Sequence, residues 1–321
     1  MFFGKEYFEE LRRIAIQYCL INYDFCYLSA MHEKNRLEGT KTIIVGSSHA
    51  MNGIVEDVFD LRPINFSVSS QDVFYDFQNI RKAVLEGAQK IETCIVNLGY
   101  YMLYQDVSLS TNIGKKIIPQ VYAPLFGEVH NYPETTDYDM LERITFDKSR
   151  YSDELLRLFC AEWTRKGLLE ESTYYGTLRS RERNNQISLQ GITWKNLSEQ
   201  EREQIALNRT NDHNNIKKHI ASRQENAVIL QEMVRFLTER DIRTIFVIFP
   251  FTKYYNQYID PEYKTDIYDA LNGLEQPVEF LDMNELEGFD NDDFLDADHM
   301  NYEGAVKASR YLNAFLSLEE E

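Results

Sequence analysis

The sequence predicts an α/β protein with five parallel strands, and three observations carry that expectation. Short β-branched runs recur at Thr42–Val45, Pro63–Val68, Thr93–Leu98, Thr244–Phe249 and Val278–Leu281. They are almost continuously apolar, as strands covered on both faces are. Helical patterns lie between them: Val73, Phe74, Phe77, Ile80, Val84 and Leu85 form one apolar stripe. Such alternation of strand and helix makes a doubly wound sheet.

In chain order, the opening segment, 1–38, reads as helical. Lys5, Glu6, Glu9, Glu10, Arg12 and Arg13 stand where an apolar stretch would follow the basic start of a secretory signal. A cytoplasmic protein is expected. Between Ile14 and Met31 the chain is fairly apolar, but Gln17, Asn22 and Asp24 interrupt it. A helix packed on the domain is expected there, because a membrane span needs about 20 mostly apolar residues. The core is expected over 39–103 and 224–321. Residues 104–223, between the third and fourth strands, are charged and aromatic with scattered apolar periodicity. A structureless loop of that length is unusual inside a compact domain, so a large, mostly helical insertion over one end of the sheet is expected. A last helix follows Asn301, which can act as its N-cap, with Ala305, Ala308, Leu312 and Phe315 on its inner side.

With 321 residues, 43% hydrophobic and 13% aromatic, the chain can bury a substantial core. Its 34 basic and 52 acidic residues give a net charge of −18, spread along the chain. That surface repels nucleic acid and anionic membranes. Cys19, Cys26, Cys94 and Cys160 have no finger-like spacing, and reduced, buried thiols are expected.

Two motifs carry chemistry. The first strand ends in Gly46-Ser47-Ser48-His49, which places Ser48 at the carboxyl edge of a parallel sheet, where ligands gather. A glycine permits the tight turn, and a helix start supplies N–H groups for developing negative charge; a plain N-cap has the same composition. Far downstream, Asp296-Ala297-Asp298-His299 precedes the last helix. Asp296 can accept the imidazole Nδ1–H of His299, fix its tautomer and leave Nε2 to take a hydroxyl proton, although Asp-x-x-His also makes an ordinary capping turn.

Together, a serine after the first strand and an Asp-x-x-His before the last helix resemble the SGNH (GDSL-type) hydrolase family, over roughly residues 40–104 and 225–317. The resemblance implies a flavodoxin-like fold, a triad of Ser48, Asp296 and His299, and no cofactor or metal. Its first block is Gly-Asp-Ser, here Gly46-Ser47-Ser48. Its second supplies a glycine N–H to the oxyanion hole, and Ser70 in Asn65-Phe66-Ser67-Val68-Ser69-Ser70-Gln71 stands at that place. Its third carries an asparagine donor, which Gly99-Tyr100-Tyr101 lacks. Ser48 and Ser70 are thus the implied backbone donors, with Tyr100, Tyr101 or His49 as the substitute side chain. His49, Gln71 and Tyr100 are the expected substrate-binding residues. The Gly-Ser-Ser start, the aromatic pair and the Asp-x-Asp-His-x-Asn ending are similar to a divergent group associated with bacterial surface polysaccharides. A serine esterase acting on an O-acylated sugar or glycan is the implied function. Transfer of an acyl group to a polysaccharide precursor, and a non-catalytic glycan- or protein-binding module, are the alternatives. The acidic run Asp290, Asn291, Asp292, Asp293, Asp296, Asp298 with His299 also offers hard oxygen ligands, but without the spacing of a calcium loop. The oligomeric state is open at this stage.

Overall fold

The computed structural model describes residues 23–32, 37–87, 91–111, 114–132 and 194–317, with a few isolated positions before residue 15. The chain divides into two compact units: Met1–Arg36 with Ser108–Asn185, and Leu37–Val107 with Gln186–Glu321. In the first, helix α1 (Tyr23–Met31) packs against a helical turn at Ile118–Tyr122 that runs into α4 (Ala123–Phe126). Among the described residues no helix is long and apolar enough to cross a membrane. Most of the expected insertion, residues 133–193, lies outside the described residues.

The second unit holds the sheet. Strands β1 (Thr42–Val45), β2 (Ile64–Asn65), β3 (Thr93–Asn97), β4 (Arg243–Ile248) and β5 (Glu279–Asp282) lie in the order β2-β1-β3-β4-β5. All pairs are parallel, in registers such as Ile43 with Ile64, Ile44 with Ile95, and Val96 with Phe246. This is the flavodoxin-like order, and it reverses direction between β1 and β3. Ile43, Ile44, Val45, Ile95, Val96, Ile245, Phe246 and Val247 are fully buried, as strands between two helical layers must be. The expected second strand, Pro63–Val68, is paired over only Ile64 and Asn65, at the edge of the sheet beside β1.

The helices of this unit are α2 (Ser48–Gly53), α3 (Val73–Lys82), α5 (Glu199–Asn214), α6 (Ile220–Thr238), α7 (Lys253–Tyr258), α8 (Glu262–Asn272) and α9 (Tyr302–Ser317). α6 buries Ile229, Leu230, Met233, Val234 and Leu237, the i, i+4 rows of one face. α9 starts as expected: Asn301 Oδ1 accepts the Gly304 N–H at 3.0 Å, and Ala305, Ala308 and Leu312 are buried. α5 begins with a capping box between Ser198 and Glu201. It lies within the segment read as insertion, yet packs in this unit against α7. Cys26 and Cys94 are buried free thiols; Cys19 and Cys160 lie outside the described residues.

Candidate active site

The turns after β1 and β3 flank the point where the strand order reverses. Gly46 makes the first turn possible: its φ is 149°, and a Cβ there would stand 2.7 Å from Asn97 Cβ. Ser48 is then the first residue of α2, where a backbone N–H has no intrahelical acceptor.

His299 arrives from a tight loop closed by an antiparallel bridge between Phe294 and Met300 and by the Leu295 N–H to the His299 carbonyl, 2.8 Å. Thr252 fastens this loop to α7 by donating both its N–H and its hydroxyl to the Ala297 carbonyl. Within it, Asp296 Oδ1 accepts the backbone N–H groups of Asp298 (3.0 Å) and His299 (2.8 Å). The same carboxylate takes His299 Nδ1–H at 3.0 and 3.1 Å. A carboxylate only accepts, so the proton sits on Nδ1 and Nε2 carries the lone pair. Ser48 Oγ lies 2.8 Å from that Nε2. Ser48, His299 and Asp296, 251 residues apart at their widest separation in sequence (299 − 48), therefore form one continuous hydrogen-bonded chain. Burial pulls the His299 imidazole down, but Asp296 and then Asp298 outweigh it, and its pKa lies above the ordinary value.

Ser70 follows β2 on the same edge with φ 62°, the left-handed region in which glycine is favoured. Its carbonyl accepts from Gln105 Nε2 at 3.2 Å, while its N–H has no acceptor among the described residues. Tyr101 is buried with its ring stacked on His213, centroids 3.9 Å apart. Its hydroxyl has no hydrogen-bond partner among the described residues, and burial pushes its pKa up, so it remains a proton donor.

The three residues expected to touch substrate are buried and occupied within the protein. Gln71 donates Nε2 to the carbonyls of Gly46 (3.1 Å) and Phe66 (3.2 Å) and to Asp76 (2.7 Å), and accepts from Asn79. It ties the Ser48 turn to the Ser70 turn. Tyr100 gives its hydroxyl proton to Asp282 at 2.7 Å, which corrects the expectation that it could stand in for the asparagine donor. His49 is 2% exposed and donates Nε2–H to Asp298 at 3.1 Å. Burial, outweighing that bond, lowers its pKa, so the ring is neutral and its remaining nitrogen Nδ1 is an acceptor. His49 therefore has no N–H left for an oxyanion, which corrects the expectation that it substitutes for the missing asparagine.

The sequence marks Asp298 only as a second carboxylate beside His299 and does not reveal its partners. Asp298 is fully buried and lies 3.6 Å from His299 Nδ1. Arg209 of α5 reaches it with Nε (2.9 and 3.0 Å) and Nη2 (2.9 Å). The His49 ring stacks on His299 at 5.0 Å. His213, one turn along α5 from Arg209, is hydrogen-bonded through Nδ1 to the Tyr255 hydroxyl. The available signal was faint: Ala206, Thr210 and His213 form the buried face of an otherwise charged helix, and a histidine four residues from an arginine shares that face.

Donor atoms of His49, Asp298 and His299 lie within 4.8 Å of one another. That set does not suit a cation, because a guanidinium already covers both Asp298 oxygens and both imidazoles face carboxylates with N–H groups. The acidic run ahead of it is used by the fold. Asp290 caps the turn at Asn291–Asp293, and Asp293 pairs with Lys307.

No curated protein matches the sequence. A family model without an assigned function matches residues 157–318, just over half of the chain, a span that takes in Arg209, Asp296, Asp298 and His299. The chain belongs to that uncharacterised family.

Proposed function

We propose that the protein is a serine esterase of SGNH type, acting on O-acyl groups of a carbohydrate through an acyl-enzyme on Ser48. The observation that carries the reading is the unbroken chain from Ser48 Oγ through His299 to Asp296. Ser48 Oγ attacks the ester carbonyl as its proton passes to Nε2; the imidazolium, held by Asp296, then protonates the departing alkoxide. Water repeats the cycle in reverse and frees the acid. The oxyanion is held by the N–H groups of Ser48 and Ser70, with the Tyr101 hydroxyl in place of the family's asparagine. The carbohydrate rests on the sequence resemblance alone. Transfer to a polysaccharide acceptor uses the same acyl-enzyme.

A fluorophosphonate probe tests the reading on the full chain. Wild type takes up one probe on Ser48, found by intact mass and peptide mapping, and Ser48→Ala and His299→Ala take up none. The rate rises with pH as the imidazole, its pKa raised above the ordinary value, loses its proton. Folded wild type that resists the probe from neutral to mildly alkaline pH returns the chain to the binding-module alternative.

A further inference from the structure

The residues behind His299 are more than a triad requires. A second carboxylate, Asp298, stands 3.6 Å from the same Nδ1 that Asp296 holds. Left bare in a buried site, it stabilises the imidazolium and keeps the base protonated. It is not bare: Arg209 comes from a helix 89 residues upstream, places Nε and Nη2 on both oxygens, and keeps its side chain 35% exposed. His49 adds its N–H to the same carboxylate.

We propose that Arg209 is a positioning residue that neutralises Asp298 and so sets the proton affinity of the base, His299. This rests on the esterase reading for its consequence in catalysis, but the charge balance itself does not. The groups facing His299 are Asp296 and Asp298 from its own loop, Ser48 and His49 from the start of α2, and Arg209 and His213 from α5. Burial keeps both neighbouring histidines neutral and Ser48 carries no charge, so the fixed charges are two carboxylates and one guanidinium. Removing the guanidinium therefore raises the His299 pKa, and removing the Asp298 charge lowers it.

The test is an NMR titration of the full chain with ring-labelled histidine, the His299 signal being the one absent from His299→Ala. Fluorophosphonate labelling is followed against pH in parallel. Arg209→Gln is expected to move the His299 titration, and the labelling limb, up by about one pH unit, and Asp298→Asn to move both down by a similar amount. The double variant replaces the pair with two neutral groups and returns both close to wild type. Opposite signs are what a purely structural role does not produce. Shifts of the same sign, or an unmoved His299 in folded Arg209→Gln, overturn the proposal. Where a single variant fails to fold because one buried charge is left unpaired, the double variant decides, a shift of a full unit there being fatal. If labelling fails throughout while the titrations shift as stated, the charge balance stands and the esterase reading falls.

Discussion

Ser70 stands where the resembled family has a glycine, and the proposed chemistry asks only for its backbone N–H. Its φ of 62° is a left-handed conformation that disfavours a side chain by about 1–2 kcal/mol. The group the proposed mechanism uses, however, is a backbone N–H, which serine supplies as glycine does. Ser70→Gly is therefore expected to keep the fluorophosphonate rate of wild type, and a collapse of that rate means that the Ser70 side chain is needed and the backbone N–H alone is not the contribution. Tyr101 is the converse case, where the side chain matters. Tyr101→Phe keeps the ring stacked on His213 and removes only the hydroxyl, so unchanged folding with a fall of about 10²–10³ in acylation is expected. No change in rate returns Tyr101 to packing. Ser48, Asp296 and His299 were legible because serine after a first strand and Asp-x-x-His before a last helix are local patterns. Arg209 was not legible, since nothing in a charged helix says which of its charges turns inward until the partner carboxylate is in place.

The strands were the most readable elements, because burial on both faces makes a β-branched run with little competing interpretation. Their ends were less so: β2 is short, and the residues after Asn65 leave the sheet to form the Ser70 turn. In sequence α5 is indistinguishable from insertion because its buried face is small and polar, Ala206, Thr210 and His213, and offers no apolar period. It nonetheless delivers Arg209 and His213 to the site. The turn between β1 and α2 is the element on which the site depends most. A side chain at Gly46 meets Asn97 and demands a φ that L residues rarely adopt. Gly46→Ala is expected to lower stability by about 1–3 kcal/mol in chemical denaturation and to slow probe labelling of the fraction that remains folded. A variant as stable and as reactive as wild type means that the turn relaxes without moving Ser48.

For the whole molecule, two buried carboxylates of the same unit pull stability in opposite directions with pH. Burial works against the Asp298 charge, but His299, Arg209 and His49 outweigh it, and its pKa lies well below the ordinary value of 3.8. Its contribution is present above that value and is lost as pH falls through the folded one. Asp76 lies beneath the Ser48 turn, where burial, opposed by Gln71 and reinforced by Asp72, pushes its pKa well above 3.8. Its contribution is present in acid and is lost as pH rises through the raised value. The net charge of −18 adds self-repulsion at neutral pH and above, so a falling melting temperature alone does not single out Asp76. Asp76→Asn does. The amide is a neutral replacement that still accepts from Gln71 through its oxygen, while the rest of the surface charge is unchanged. The variant is expected to match wild type below pH 3.8, where the carboxyl is protonated folded and unfolded alike, and to exceed it by on the order of 1 kcal/mol at pH 8, about 2–4 °C in thermal midpoint for a unit of this size. A difference that stays constant between those pH values, or grows toward acid, means that the Asp76 carboxyl does not titrate against the fold, and the decline of wild type with pH then belongs to the surface charge.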